Sequence, residues 1–122
     1  MSKRILLVED EADNMQILRD LLAADYTIDE AENGEQALAS VAKQRPDLIL
    51  MDIQLPVMDG YEATRRLKAD PALRAIPIIA ITSYALGEDE KRARAAGCDD
   101  FVAKPYSPRF LLAKVRDHLS KK

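Results

Sequence analysis

The chain has 122 residues, a net charge of -3, 48% hydrophobic and 32% charged residues, and only 4 Gly and 6 Pro. Such a length makes one domain that buries roughly 65% of its extended-chain surface, and the balance excludes a collagenous, low-complexity or disordered chain. Mild acidity disfavours nonspecific binding to nucleic acid or to an anionic membrane, and no apolar run approaches the roughly 20 residues of a membrane span. The lone Cys98 excludes an internal disulfide and suits a reducing cytoplasm, the expected location. Following Gly97 near a helix end, it reads as a small buried apolar residue rather than a redox group.

Strands and helices alternate five times along the chain. Ile5-Leu6-Leu7-Val8 is a first strand, running into Glu9-Asp10. Residues near 12–24 then place Met15, Ile17, Leu18, Leu21 and Leu22 on one helical stripe. A short strand is expected around Tyr26 to Asp29. Asn33-Gly34 breaks the chain before an amphipathic helix carrying Ala37, Leu38, Val41 and Ala42, which stops ahead of Pro46. The third strand is Asp47 to Asp52. After it, Gln54 to Gly60 is a loop with Pro56 and Asp59-Gly60 as turn signals. A helix from about Tyr61 to Ala69 ends before Pro71.

The fourth strand, Ile78-Ile79-Ala80-Ile81, stops at Thr82. A helix from Glu88 to Ala96 closes at Gly97, a plausible left-handed cap. The fifth strand, Asp100 to Ala103, runs into Lys104. Ser107-Pro108 reads as N-cap and first turn of a last helix carrying Phe110, Leu111, Val115 and Leu119. That helix runs to Lys121-Lys122, so residues 1–122 are expected to form a single domain with no output domain.

Continuous aliphatic runs of this length are buried parallel strands covered by helices on both faces. Alternation with short joints implies an α/β, doubly wound five-stranded parallel sheet, and the order 2-1-3-4-5 fits the count. In such a sheet ligands bind beyond the carboxyl ends of the strands. Four of those ends carry Glu9-Asp10, Asp52, Thr82 and Lys104, and the switch point lies between strands 1 and 3, where the acids are. Three clustered carboxylates are tolerated mainly where a cation neutralises them, and Mg²⁺, which keeps several waters, suits them better than Ca²⁺. Asp10, just before a helix, could also be a cap, the lesser reading; Asp52, followed by Ile53, has no helix to cap. A lysine ammonium opposite them suits phosphoryl oxygens.

Together these segments carry a resemblance. Ile5 to Glu11, Asp47 to Gly60, Ala80-Ile81-Thr82-Ser83 and Lys104-Pro105-Tyr106-Ser107-Pro108 resemble the receiver domain of bacterial two-component response regulators, in order and over essentially the whole chain. The stretch from Thr82 to Pro108 is similar to small stand-alone receivers of the cell-division regulator type. The resemblance implies the flavodoxin-like, CheY-like fold and a signalling role, not an enzyme: the domain would catalyse only its own phosphorylation and dephosphorylation. By position, Asp52 is implied as phosphoacceptor. Glu9, Asp10 and the backbone carbonyl of Gln54 join it as ligands of Mg²⁺ (or Mn²⁺). Thr82 becomes the switch hydroxyl, Lys104 the lysine that neutralises charge, and Phe101 the switch aromatic. Gln54 and Tyr84 would tune the lifetime of the phosphoryl group, and the bond before Pro105 would be cis.

The implied partners are a sensor histidine kinase or histidine phosphotransfer protein, and a downstream target. A homodimer through the helix 4–strand 5–helix 5 face would use Lys91, Arg92, Arg94, Asp99, Asp100, Lys114 and Arg116; the same charges also read as a plain solvated surface. Rival readings fit less well. A phosphatase of the haloacid-dehalogenase type wants an Asp where Gln54 stands. A flavodoxin-like cofactor binder needs a hydroxyl- and glycine-rich loop where Glu9-Asp10-Glu11 would repel phosphate. A degenerate receiver acting as a phosphorylation-independent binding module remains the alternative.

Overall fold

The computed structural model describes residues 3–82 and 87–120. Its elements are β1 Arg4–Val8, α1 Ala12–Leu22, β2 Thr27–Ala31, α2 Gly34–Lys43, β3 Leu48–Asp52, α3 Gly60–Ala69, β4 Ile78–Thr82, α4 Gly87–Ala96, β5 Asp100–Ala103 and α5 Pro108–Ser120. The strands form one parallel sheet in the order β2-β1-β3-β4-β5. This is the doubly wound fold expected.

Alternation along the strands divides the core in two. Leu6, Val8, Ile49, Met51, Ile78 and Ala80 face α2, α3 and α4, where Ala37, Val41, Ala63, Leu67, Ala93 and Ala96 cover them. Ile5, Leu7, Leu48, Leu50, Ile79 and Ile81 face α1 and α5, meeting Met15, Leu18, Leu22, Leu111 and Val115. Both faces of β3 and β4 are closed to water, which is why these strands are unbroken apolar runs. Cys98 is buried, its Sγ 3.7 Å from Thr64 Oγ1, and burial pushes its thiol pKa up, consistent with an inert packing role.

Several expectations need correction. Ile17 and Phe110 are 50% and 52% exposed, not core. Each precedes a buried residue, Leu18 or Leu111, and one helical position turns the side chain by about 100°. Ala42 is likewise exposed, beside buried Val41. The second strand starts and ends later than Tyr26 to Asp29, because pairing with β1 carries it on until Val8 meets Ala31. Two supposed chain breaks are N-caps: Asn33 Oδ1 accepts from Gln36 N at 2.8 Å, and Asp59 Oδ1 from Glu62 N at 2.9 Å. Ser107 does cap α5, accepting from Phe110 N at 3.4 Å. Gly97 has φ 108°, the positive value expected at this helix end.

The edge opposite the strands' carboxyl ends is tied by side chains. Lys68 Nζ donates to the carbonyls of Arg74 and Ile76 and to Asp99 Oδ2, at 2.9, 2.9 and 2.8 Å. Asp99 Oδ2 also accepts from Ile78 N at 2.8 Å, and Asp47 Oδ2 from Arg4 N at 2.7 Å. At the carboxyl edge, Gly60 lets α3 start directly against β3. A Cβ there would lie 2.5 Å from the Asp52 carbonyl oxygen and 2.8 Å from Ile53 Cα, both backbone atoms that cannot yield. Gly60→Ala is therefore expected to cost about 2–3 kcal/mol in urea unfolding by overpacking. A variant as stable as the parent would show that α3 can slide away without penalty.

Candidate functional site

Parallel strands deliver their last residues to one rim, and the side chains converge there. Glu9 follows β1, its amide bonded to Ala31 O at 3.0 Å and its Oε2 accepting from Glu11 N at 3.1 Å. Asp52 is the last residue of β3, with Oδ1 accepting from Gln54 N at 2.9 Å. One carboxylate oxygen from each of Glu9, Asp10 and Asp52 lies within 4.8 Å of the others. Asp10 is exposed, whereas Glu9 and Asp52 are only 2% and 4% exposed. Asp10 caps no helix: the N-cap of α1 is Glu11.

Lys104 lies just past β5, two strands away from β3, a span of roughly 10 Å across the sheet. Its extended side chain places Nζ 3.0 Å from Asp52 Oδ2 and 3.4 Å from Glu9 Oε1. Its amide bonds Thr82 O, and the Lys104–Pro105 peptide is cis. Thr82 ends the intervening strand β4 and is buried. Phe101 is partly exposed on β5, opposite Ala80 in register. Gln54 turns its side chain outward while its amide fixes Asp52. Tyr84 lies outside the described residues. The loop past Gln54 includes Val57 at φ 67°, a left-handed conformation that a β-branched residue rarely adopts.

Two buried carboxylates beside one ammonium cannot all stay comfortably ionised. Burial, and then a hydrogen bond shared with Asp52, push the Glu9 carboxyl up to about 7, although Glu11 N and Lys104 pull the other way. Lys104 is raised despite burial, because Asp52 and Glu9 hold the charged form. The donor set suits a small divalent cation: hard oxygens, one side open through Asp10, and an excess of negative charge. Two cavities flank it. One of about 390 Å³ is walled by Ile17, Leu18, Pro105 and Tyr106, and another of about 490 Å³ by Asp10, Gln16, Arg19, Glu30 and Gln36. Sequence reasoning missed Ile17 and Tyr106 as walls; the available signals were the place of Ile17 in the helix that follows Glu9-Asp10 and of Tyr106 just after Lys104.

The surface proposed for dimerisation is largely paired within the chain. Asp100 holds Lys114 Nζ at 3.0 Å and His118 Nε2 at 3.1 Å, and Asp99 holds Lys68. Arg92 lies over the Tyr61 ring at 4.5 Å, and Arg94 pairs with Glu90 at 3.1 Å. The Asp100 carboxyl is lowered, because His118 and Lys114 outweigh its burial. Among the described residues no helix is long and apolar enough to cross a membrane.

The sequence matches the response regulator receiver domain family over residues 5–116, and the chain belongs to that family. It is thus a phosphorylation-based signalling domain of two-component systems rather than an enzyme in the usual sense. It is similar to the polar-differentiation response regulator DivK of Brucella anthropi, 48% identical over 113 residues, 91% of this chain and 92% of that one. DivK of Brucella ovis is 46% identical over the same extent. Among solved structures, the receiver domain of a sensor histidine kinase from Pseudomonas aeruginosa is similar with TM-score 0.92 at 38% identity, over 99% of this chain and 100% of that one. That structure has a magnesium ion coordinated in its active-site cleft. A response regulator from Chloroflexus aurantiacus gives TM-score 0.95 at 30% identity, over 99% and 100%.

Proposed function

We propose that the chain works as a DivK-like single-domain response regulator that takes a phosphoryl group onto Asp52 and signals by phosphorylation-dependent protein contact. The observation that carries the reading is Lys104 Nζ, 3.0 Å from Asp52 Oδ2 within a cluster of three acids. A carboxylate oxygen of Asp52 attacks phosphorus, the bond to the donor histidine nitrogen breaks, and the imidazole leaves. The acyl phosphate is later hydrolysed by water, releasing inorganic phosphate. The Lys104 ammonium stabilises charge developing on the phosphoryl oxygens, so the protein supplies mainly alignment and electrostatics. Glu9, Asp10, Asp52 and the Gln54 carbonyl would hold Mg²⁺ (Mn²⁺ suits the same oxygens), which when bound supplies further positive charge there. All of these groups are present, which disfavours the degenerate alternative. Receiver domains interact with histidine kinases and downstream targets; here the donor would be such a kinase or a histidine phosphotransfer protein, and the location the cytoplasm.

Phosphorylation adds charge and acceptor oxygens at Asp52. Thr82 would move to donate to one of them, and Phe101 would rotate into the space vacated, reshaping the α4–β5–α5 face. Incubation with acetyl phosphate and Mg²⁺ tests the reading directly. Mass spectrometry should find one phosphoryl group that hydroxylamine and base remove, and a protein that stays unmodified would count against it.

Ion binding should depend on pH through Glu9. A carboxyl raised to about 7 holds its proton in the metal-free protein, and a cation must displace it. Mg²⁺ affinity should therefore rise about tenfold between pH 6 and pH 8, measured by calorimetric titration. Without metal the sign reverses for stability. The Glu9 contribution is fully present below 4.5, the ordinary value, and is lost as pH rises through about 7. A flat affinity across this range would exclude Glu9 as a ligand.

A further inference from the structure

We propose that Arg94 is a positioning residue that holds Phe101 in its partly exposed resting position, tethered by Glu90, and so sets how readily the site at Asp52 switches. The inference rests on the reading of Phe101 as the moving aromatic. The guanidinium carbon of Arg94 lies 5.8 Å from the centre of the Phe101 ring, within cation–π range. Its Nε donates to Glu90 Oε2 at 3.1 Å, one turn back along α4, which fixes the guanidinium where it meets the ring. Arg94 and Glu90 side chains are about half exposed, so the contact is weak enough to release.

The support of α4 makes this contact matter. Its buried side chains on the described stretch are only Ala93 and Ala96, which contribute little apolar area. Among the described residues, two arginines of α4 also lie over rings of its neighbours, Arg92 over Tyr61 of α3 and Arg94 over Phe101 of β5. When the ring turns inward, the Arg94 contact is lost while that of Arg92 with Tyr61 is kept. Arg94 thus favours the resting arrangement alone, and a contact made in one state shifts the equilibrium by its full differential strength. An exposed cation–π contact corresponds to a shift of about two- to fivefold.

The test uses 4-fluorophenylalanine labelling and ¹⁹F NMR in a Phe110→Leu background, which leaves Phe101 as the one labelled ring, with beryllofluoride and Mg²⁺ as the phosphoryl mimic. In the parent, saturating beryllofluoride should move the Phe101 resonance. In Arg94→Ala, the resonance before addition should already lie part of the way to that position, and half-saturation should need about two- to fivefold less beryllofluoride. Glu90→Gln should shift both in the same direction but less, and Arg94→Lys should fall between Arg94→Ala and the parent. An unchanged resting resonance and midpoint in Arg94→Ala would overturn the latch while leaving the switch intact. A parent resonance that ignores beryllofluoride would overturn the switch reading of Phe101 and the latch with it.

Discussion

An Asp52→Asn protein incubated with acetyl phosphate and Mg²⁺ should gain no phosphoryl mass, a loss of more than about 10³-fold in modification rate. The amide nitrogen and oxygen are poor nucleophiles toward phosphorus, so the change removes the attacking atom and little else. Shape is kept, and the Asn oxygen can still accept from Gln54 N, as Asp52 Oδ1 does at 2.9 Å. The substitution also removes one of two buried acids that compete for Lys104. Relieved of that repulsion, the metal-free variant should melt no lower than the parent at pH 8. Reactivity lost with stability kept separates a chemical role from a structural one. Phosphoryl transfer to Asp52→Asn at a comparable rate would instead move the acceptor to another residue, with Glu9 and Asp10 the first to examine.

Lys104→Met is expected to have the second-largest effect, and its sign depends on pH. The change keeps side-chain length but removes the cation lying between Glu9 and Asp52. Breaking a buried pair leaves an uncompensated charge, which costs about 3–5 kcal/mol when fully buried. Lys104 is 25% exposed, so a loss of about 2 kcal/mol is expected at pH 8. At pH 5 the loss should shrink, because the Glu9 carboxyl, raised to about 7, carries its proton there instead of an unpaired charge. Urea unfolding at the two pH values measures the difference. Phosphorylation by acetyl phosphate should fall about 10²–10³-fold through loss of charge stabilisation. Equal destabilisation at pH 5 and pH 8 would mean that Lys104 contributes packing rather than charge.

The carboxyl-edge site was legible because its physics is written locally. A strand buried on both faces must be a continuous apolar run, so the polar residue that ends it is conspicuous, and parallel topology does the gathering. Glu9, Asp52, Thr82 and Lys104 were visible for that reason. The order 2-1-3-4-5 already set Lys104 facing the acids across strand 4, but the approach of its Nζ to 3.0 Å from Asp52 Oδ2 depends on a side-chain conformation that no sequence pattern specifies. The switch roles proposed for Thr82 and Phe101 rest on family resemblance; nothing local marks a hydroxyl or a ring as mobile. Ile17 and Phe110 misled because an apolar residue next to a helical stripe looks like part of it. Asn33 and Asp59 were read as breaks because capping residues and turn residues are the same residues. The pairs Lys68–Asp99 and Lys114–Asp100 join residues 31 and 14 positions apart, and no spacing rule anticipates them.

Among these, the knot around Lys68 has a mechanical consequence. It grips α3, the segment before β4, and the start of β5 at one pole of the sheet, far from the acids. β4 and β5 are therefore built like cantilevers, clamped at their amino ends and carrying their load at the tips, Thr82 and Lys104. A disturbance applied at Asp52 is expected to move the tips more than the anchored pole, which Lys68 and Asp99 tie by hydrogen bonds. The expected displacement runs outward along the rim, toward α4 at the end of β4.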